Sequence, residues 1–306
     1  MTRRTTIQTT TESTTEAAAG TTAESRIDSA RQFMEGTARL LERRRLEVFL
    51  DGAPVEPVLT ALRAYRNPDG GFGHALEPDV CCPGSQPSAA LSALDVLAES
   101  GATDDPMVTA TADWVAAIAR PDGGVPQVLP SALGHPHTPW MEPRDESGFL
   151  TFALAGRLHQ LGVEHPWLDV ATAWSWQELE SQKGAGGYSV VFGLQFLDAV
   201  PDPDRAAAAV DRLRPLIRPD GTVPIPGGIE GEHVKPLALS PRPDTPSRAL
   251  FTPAQIDADL DRLESEQLDD GGWDFDFLHW MPAQSAAWRG IVTLGALHIL
   301  REHGRL

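Results

Sequence analysis

The chain has 306 residues and a formal net charge of −18, from 43 acidic against 25 basic side chains. That balance argues against a sequence-independent grip on nucleic acid or anionic membrane, because both need clustered cations. No apolar run approaches the ~20 residues that span a bilayer, and threonines and glutamates follow Arg3 and Arg4 where a signal peptide needs an apolar core. Cys81 and Cys82 are adjacent and cannot staple distant segments. The expectation is a cytoplasmic protein without a disulfide framework.

Residues 1–23 are threonine-rich with few apolar groups, too little to offset the entropy of ordering, and read as a disordered tail. From Ser25 to Leu50 the apolar spacing fits one or two helices, with Arg43, Arg44 and Arg45 on the solvent side. Asp51 to Pro54 breaks the pattern and Val55 to Arg66 is a helix. Ser85 reads as the cap of a helix to about Glu99. Further helices are expected over 107–119, 147–161, around Trp174 and Trp176, over 189–200 and over 204–217. Prolines make His135 to Trp140 an irregular loop, a candidate cover for one end of a cavity. Residues 219–253, rich in Pro and Gly, should be irregular with a short helix. Thr252 before Pro253 is a capping signal for a helix to Gln267, and Pro282 to Arg301 closes the chain.

A recurring turn punctuates these helices. Gln267-x3-Gly271-x-Trp273 has partial copies at Asp69-Gly-Gly-Phe72, Asp122-Gly-Gly-Val125, Gly186-Gly-Tyr188 and Asp220-Gly-Thr-Val223. The intervals, 35 to 63 residues, suit two helices with their loops. Five helix pairs are marked, with room for a sixth. The aspartates read as turn residues and Phe72, Tyr188 and Trp273 as wedges between helices.

These turns resemble the repeats of the squalene cyclase and protein prenyltransferase β-subunit superfamily, and Tyr65–Ala90 with Gln267–Gly290 resembles a bacterial single-toroid, squalene-cyclase-like subgroup. The resemblance implies an all-α fold, an α/α toroid of inner helices around a cavity with outer helices around them, over residues 24–306. It implies a terpene cyclase-like enzyme that performs acid-initiated cyclisation or isomerisation of an isoprenoid or similar hydrophobic molecule.

Ring closure would bring the 74–82 loop to the last unit. Glu77, Asp79, Asp274 and Asp276 are then the candidate acids, since crowded carboxylates raise one another's proton affinity. His74, Trp140, Trp273, His279 and Trp280 are candidate substrate contacts, the aromatic faces suiting a passing cation. The cyclase Asp-x-Asp-Asp motif is absent; its nearest approaches are Asp257-Ala-Asp259 and Asp274-Phe-Asp276. No cofactor is required by this reading. The prenyltransferase side of the resemblance implies instead a zinc ion on Asp79, Cys81 and His279. A third alternative is a non-catalytic toroid that binds a lipid or a partner protein.

Overall fold

The structure is a computed structural model and describes residues 22–181 and 186–306. The expected tail over 1–23 lies outside these residues except for Thr22, which caps the first helix, and Ala23, which begins it. Residues 182–185 of one repeat turn also lie outside them.

The described chain is all-α. In order the helices are α1 (Ala23–Thr37), α2 (Leu40–Asp51), α3 (Glu56–Arg63), α4 (Pro87–Glu99), α5 (Pro106–Ile118) and α6 (Leu150–Gln160). They continue as α7 (Pro166–Ser181), α8 (Tyr188–Leu197), α9 (Pro203–Leu213), α10 (Pro236–Leu239), α11 (Pro253–Ser265) and α12 (Pro282–Glu302). Seven of them begin on proline, whose fixed φ suits a first helical turn and whose missing N–H costs nothing there. The Thr252 cap forms as expected, as a full capping box with Gln255. Ser85 does not cap α4; its hydroxyl donates to Asp69 Oδ1 instead. In the Pro- and Gly-rich stretch, β1 (Val223–Pro224) and β2 (His233–Val234) pair as a short antiparallel ladder, which the composition did not indicate.

Two series of helices pack against each other. α4 lies on α6, α6 on α8, α8 on α10, and α12 on α2, while α3, α5, α7, α9 and α11 each back a member of this first series. α1 packs on both α12 and α2, so the two ends of the described chain meet. Gln267 Nε2 donates to Arg26 O at 3.0 Å and Arg301 Nη1 to Phe49 O at 2.6 Å across this seam.

Four turns share one geometry. The aspartate Oδ1 of Asp69, Asp122, Asp220 and Asp270 accepts the backbone N–H two residues on, at 3.0, 3.0, 3.0 and 3.1 Å. The glycine between, Gly70, Gly123, Gly221 or Gly271, has φ between +86° and +92°, where a side chain is strained. The wedge reading holds for Phe72 and Trp273, both buried, with Trp273 Nε1 donating to Leu263 O at 2.7 Å.

In the first series α2, α4, α6 and α12 run in one direction. Their starts gather near the 74–82 loop: Arg39, just before α2, donates to Ala75 O and Leu76 O, and Trp288 of α12 reaches Asp79. At the other end Arg45 pairs with Glu99, Arg157 with Asp95 and His298 with Glu99. Arg45 was expected to face solvent, but it turns inward because the carboxylates of Glu42 and Glu99 await it.

Candidate active site

A cavity of about 390 Å³ lies among α2, α4, α6, α8 and α12, within the size range of small-molecule sites. Trp140, Phe149, Tyr188, Phe192, Phe277 and Trp288 give it an aromatic wall, and Glu77 and Asp79 give it two carboxyl groups.

The loop that carries these carboxyls is locally strained. His74 and Ala75 both have left-handed φ, 56° and 58°, a pairing non-glycine residues rarely adopt. Arg39 holds the strained turn, its Nη1 bonding Ala75 O at 2.9 Å and Leu76 O at 3.0 Å, while Nε and Nη2 grip the buried Glu42. From above, the 126–147 excursion packs on the same loop. Cys81 N donates to Pro136 O, Thr138 N to Asp79 O, and Val80 forms an isolated bridge with His137.

Asp79 is 5% exposed and every carboxylate oxygen is engaged. Oδ1 accepts from Trp288 Nε1 at 2.7 Å and Gln284 Nε2 at 3.0 Å, and Oδ2 accepts from Trp140 Nε1 at 3.0 Å. Three N–H donors and no acceptor suit an ionised carboxylate. Glu77 is also buried, and its proton affinity is pushed up to about 8, first by burial and then by the Asp79 charge; the Asp79 N–H and Arg39 oppose this only in part. The pair therefore holds one proton at neutral pH, on Glu77. Burial, aided by the charges of Glu232, Asp276, Asp79 and Glu77, also raises the Tyr188 hydroxyl.

The other expected site residues lie elsewhere. His74 is exposed and turns to Asn67 Oδ1 at 3.1 Å, because the left-handed backbone directs its side chain outward. Asp274 is exposed and bonds its own loop at Phe275 N, and Asp276 is exposed and ion-paired with Lys235. His279 stacks on Phe275 and meets Ser285 Oγ at 3.2 Å. Trp280 and Trp273 do not line the cavity; Trp140 does. Asp259, from the Asp257-Ala-Asp259 approach to the motif, sits in α11 with its carboxylate buried, accepting from Leu237 N and Arg262, and does not line the cavity.

The proposed zinc set is not assembled. Asp79 is consumed by its three donors, His279 is turned to Ser285, and the Cys81 thiol is pushed up by burial and by Asp79, against forming a thiolate. Among the described residues no group of three or more His, Cys, Asp or Glu side chains could hold a metal ion.

Sequence reasoning missed Trp288, Gln284, Phe277 and Arg39. Gln284, Trp288 and Ile291 fall at i, i+4 and i+7 of the closing helix, one face of it, and that spacing was a usable signal.

No family model matches the chain, and no curated protein matches it. Among solved structures it is similar to a protein from Actinoplanes, at 17% identity over 92% of this chain and 99% of that one, with a TM-score of 0.57. It is also similar to a variant of the type II terpene cyclase MstE from Scytonema bound to geranylgeranyl dihydroxybenzoate, at 13% identity, 91% and 97% coverage and a TM-score of 0.55. A second variant of that cyclase, bound to merosterolic acid A, gives 13% identity, 92% and 97% coverage and 0.54. At such identity the likeness is one of fold: this chain has a terpene cyclase-like fold.

Proposed function

We propose that the protein is an enzyme that protonates a carbon–carbon double bond of an isoprenoid or similar hydrophobic molecule in its central cavity and so starts a cyclisation or isomerisation. The observation that carries this reading is the Glu77–Asp79 pair, one proton between two buried carboxyls, on an aromatic-lined cavity. Glu77 is the acid. Its proton passes to the alkene, and the electron pair of the double bond forms the new C–H bond. The cation left behind faces two carboxylates and aromatic side chains. Burial that keeps the proton on Glu77 also weakens it as an acid. The step is therefore favoured only because the ion pair it creates attracts strongly where water is excluded. Loss of a proton from the product cation to Glu77 restores the starting state.

The fold likeness to MstE supports this choice of chemistry, since that protein is a type II terpene cyclase with an isoprenoid-bearing substrate. Contact of α12 with α1 and α2 supports a closed α/α toroid over residues 24–306 as one domain. No helix among the described residues is long and apolar enough to cross a membrane, in keeping with a cytoplasmic enzyme on a diffusing substrate.

The test is incubation of purified protein in D₂O with linear polyprenyl alcohols, their diphosphates and prenylated dihydroxybenzoates, followed by mass spectrometry. The expected product carries one deuterium at a former alkene carbon, and Glu77→Gln lowers its rate at least about 100-fold, as for loss of a general acid. No deuterated product from any substrate, or undiminished turnover in Glu77→Gln, overturns the reading.

A further inference from the structure

The cavity has two chemically different ends. Ser88, Leu91, Ser92, Asp95 and Val96 line it from α4 at the spacing of a single helix face. At the helical rise, Asp95 lies about 10 Å further along the axis than Ser88. Glu77 and Asp79 sit beside the start of this stripe and Asp95 at its far end.

The carboxylates at that far end match the cations in charge and still keep free lone pairs. Arg39 is taken up by Glu42 and two carbonyls, and Arg45 bonds Glu99 through Nε and Nη2 while its Nη1 reaches Glu42 only as an ion-pair contact at 3.8 Å. Asp95 is occupied on one side only. Arg157 Nε and Nη2 both approach Oδ1, at 2.7 and 2.6 Å; 41% of the Asp95 side chain is exposed, and among the described residues no hydrogen bond reaches Oδ2. One turn back, Ser92 Oγ spends its proton on Ser88 O at 3.1 Å and keeps its lone pairs. Free acceptors beside cations whose charge is already matched by carboxylates favour a donor over an anion.

We propose that the far half of this cavity holds the hydrogen-bond-donating end of an otherwise apolar ligand, with Asp95 Oδ2 and Ser92 Oγ as its acceptors. The ligand class is a long-chain alcohol or amine, in place of a plain hydrocarbon or a diphosphate. The inference rests on the proposed function only in placing the reacting double bond at the Glu77 end.

Four probes of one chain length separate the alternatives: farnesol, farnesylamine, farnesene and farnesyl diphosphate, titrated into the full chain at pH 7 with tryptophan fluorescence and calorimetry. The alcohol and the amine are expected to bind at least about tenfold tighter than the other two, a difference of about 1.4 kcal/mol. Which of the pair is tighter identifies a hydroxyl or an ammonium as the natural donor. Asp95→Asn should cost the amine about tenfold. Asp95→Ala in an Arg157→Ala background, which leaves no unpaired cation, should bring both donors down to the level of farnesene. Circular dichroism confirms that each variant is folded. Equal binding of alcohol, amine and hydrocarbon overturns the inference, as does a preference for the diphosphate or a donor preference that survives both variants. Failure of all four probes to bind folded wild-type protein overturns the inference alone, whereas the proposed function stands or falls on deuterium incorporation.

Discussion

Trp288 Nε1 donates to Asp79 Oδ1 at 2.7 Å across 209 positions of the chain, so the last helix holds the carboxylate that the first repeat delivers. Trp288→Phe keeps the aromatic wall and removes that bond. Equilibrium urea denaturation should show a loss of about 1.5–3 kcal/mol, the range for a hydrogen bond to a charged group. An unchanged midpoint would mean that the indole is only packing.

Glu77 gives the protein a stability that depends on pH with a definite sign. In the unfolded chain it ionises near its ordinary 4.5, but in the folded state only near 8. The folded state thus binds more protons between these values, and stability falls as pH rises through that window, by up to about 1.4 kcal/mol per unit. Glu77→Gln should abolish the slope. Glu99 acts in the opposite direction: burial would raise it, but Arg45 and His298 outweigh burial and hold it at about 2. Its contribution is complete above 4.5 and is lost as pH falls towards 2. Denaturation of wild type and Glu77→Gln from pH 3 to 9 checks both.

Ala75 has φ 58°, a left-handed backbone that costs a residue with a Cβ about 1–2 kcal/mol. Ala75→Gly should therefore stabilise the fold by about 1 kcal/mol. Arg39→Met should do the reverse on a larger scale, about 3 kcal/mol, because it leaves the buried Glu42 with only the 3.8 Å contact to Arg45. Amide hydrogen exchange of residues 75–80 should speed up in Arg39→Met even where the rest of the chain is protected.

A methyl group at Gly271 would lie 2.1 Å from Ser29 O of α1, at a φ of +91°, whereas Gly52 has a positive φ and open space around it. Gly271→Ala should cost more than about 3 kcal/mol and Gly52→Ala about 1 kcal/mol. Similar losses in thermal denaturation would mean that the seam between the chain ends yields easily.

Much of the fold was legible because its turns are local. Asp270 bonding Gly272 N, with Gly271 at positive φ, needs only neighbouring residues, and the same holds for Thr252 with Gln255. The site was legible in part. Glu77 and Asp79 stood out as crowded carboxylates of one loop, which ring closure would bring to the last unit. The partners were legible only as a face: Gln284 and Trp288 share one side of an apolar helix, but which loop that side meets depends on the register of the helix. His74 and Asp276 misled for the same reason: which way a side chain turns depended on a left-handed backbone in one case and on Lys235 in the other.

The common direction of the inner helices has an electrostatic consequence. Each helix start carries a partial positive charge and each end a partial negative one. With α2, α4, α6 and α12 aligned, these add along the cavity axis. The end with Asp79 is the electropositive one, which favours the carboxylate held there. Arg45 and Arg157 cluster where the helices finish, but Glu99 and Asp95 match their charge there and leave the opposite pole in place. That field draws a cation created at Glu77 inward along the axis, against the stronger pull of the two carboxylates beside it.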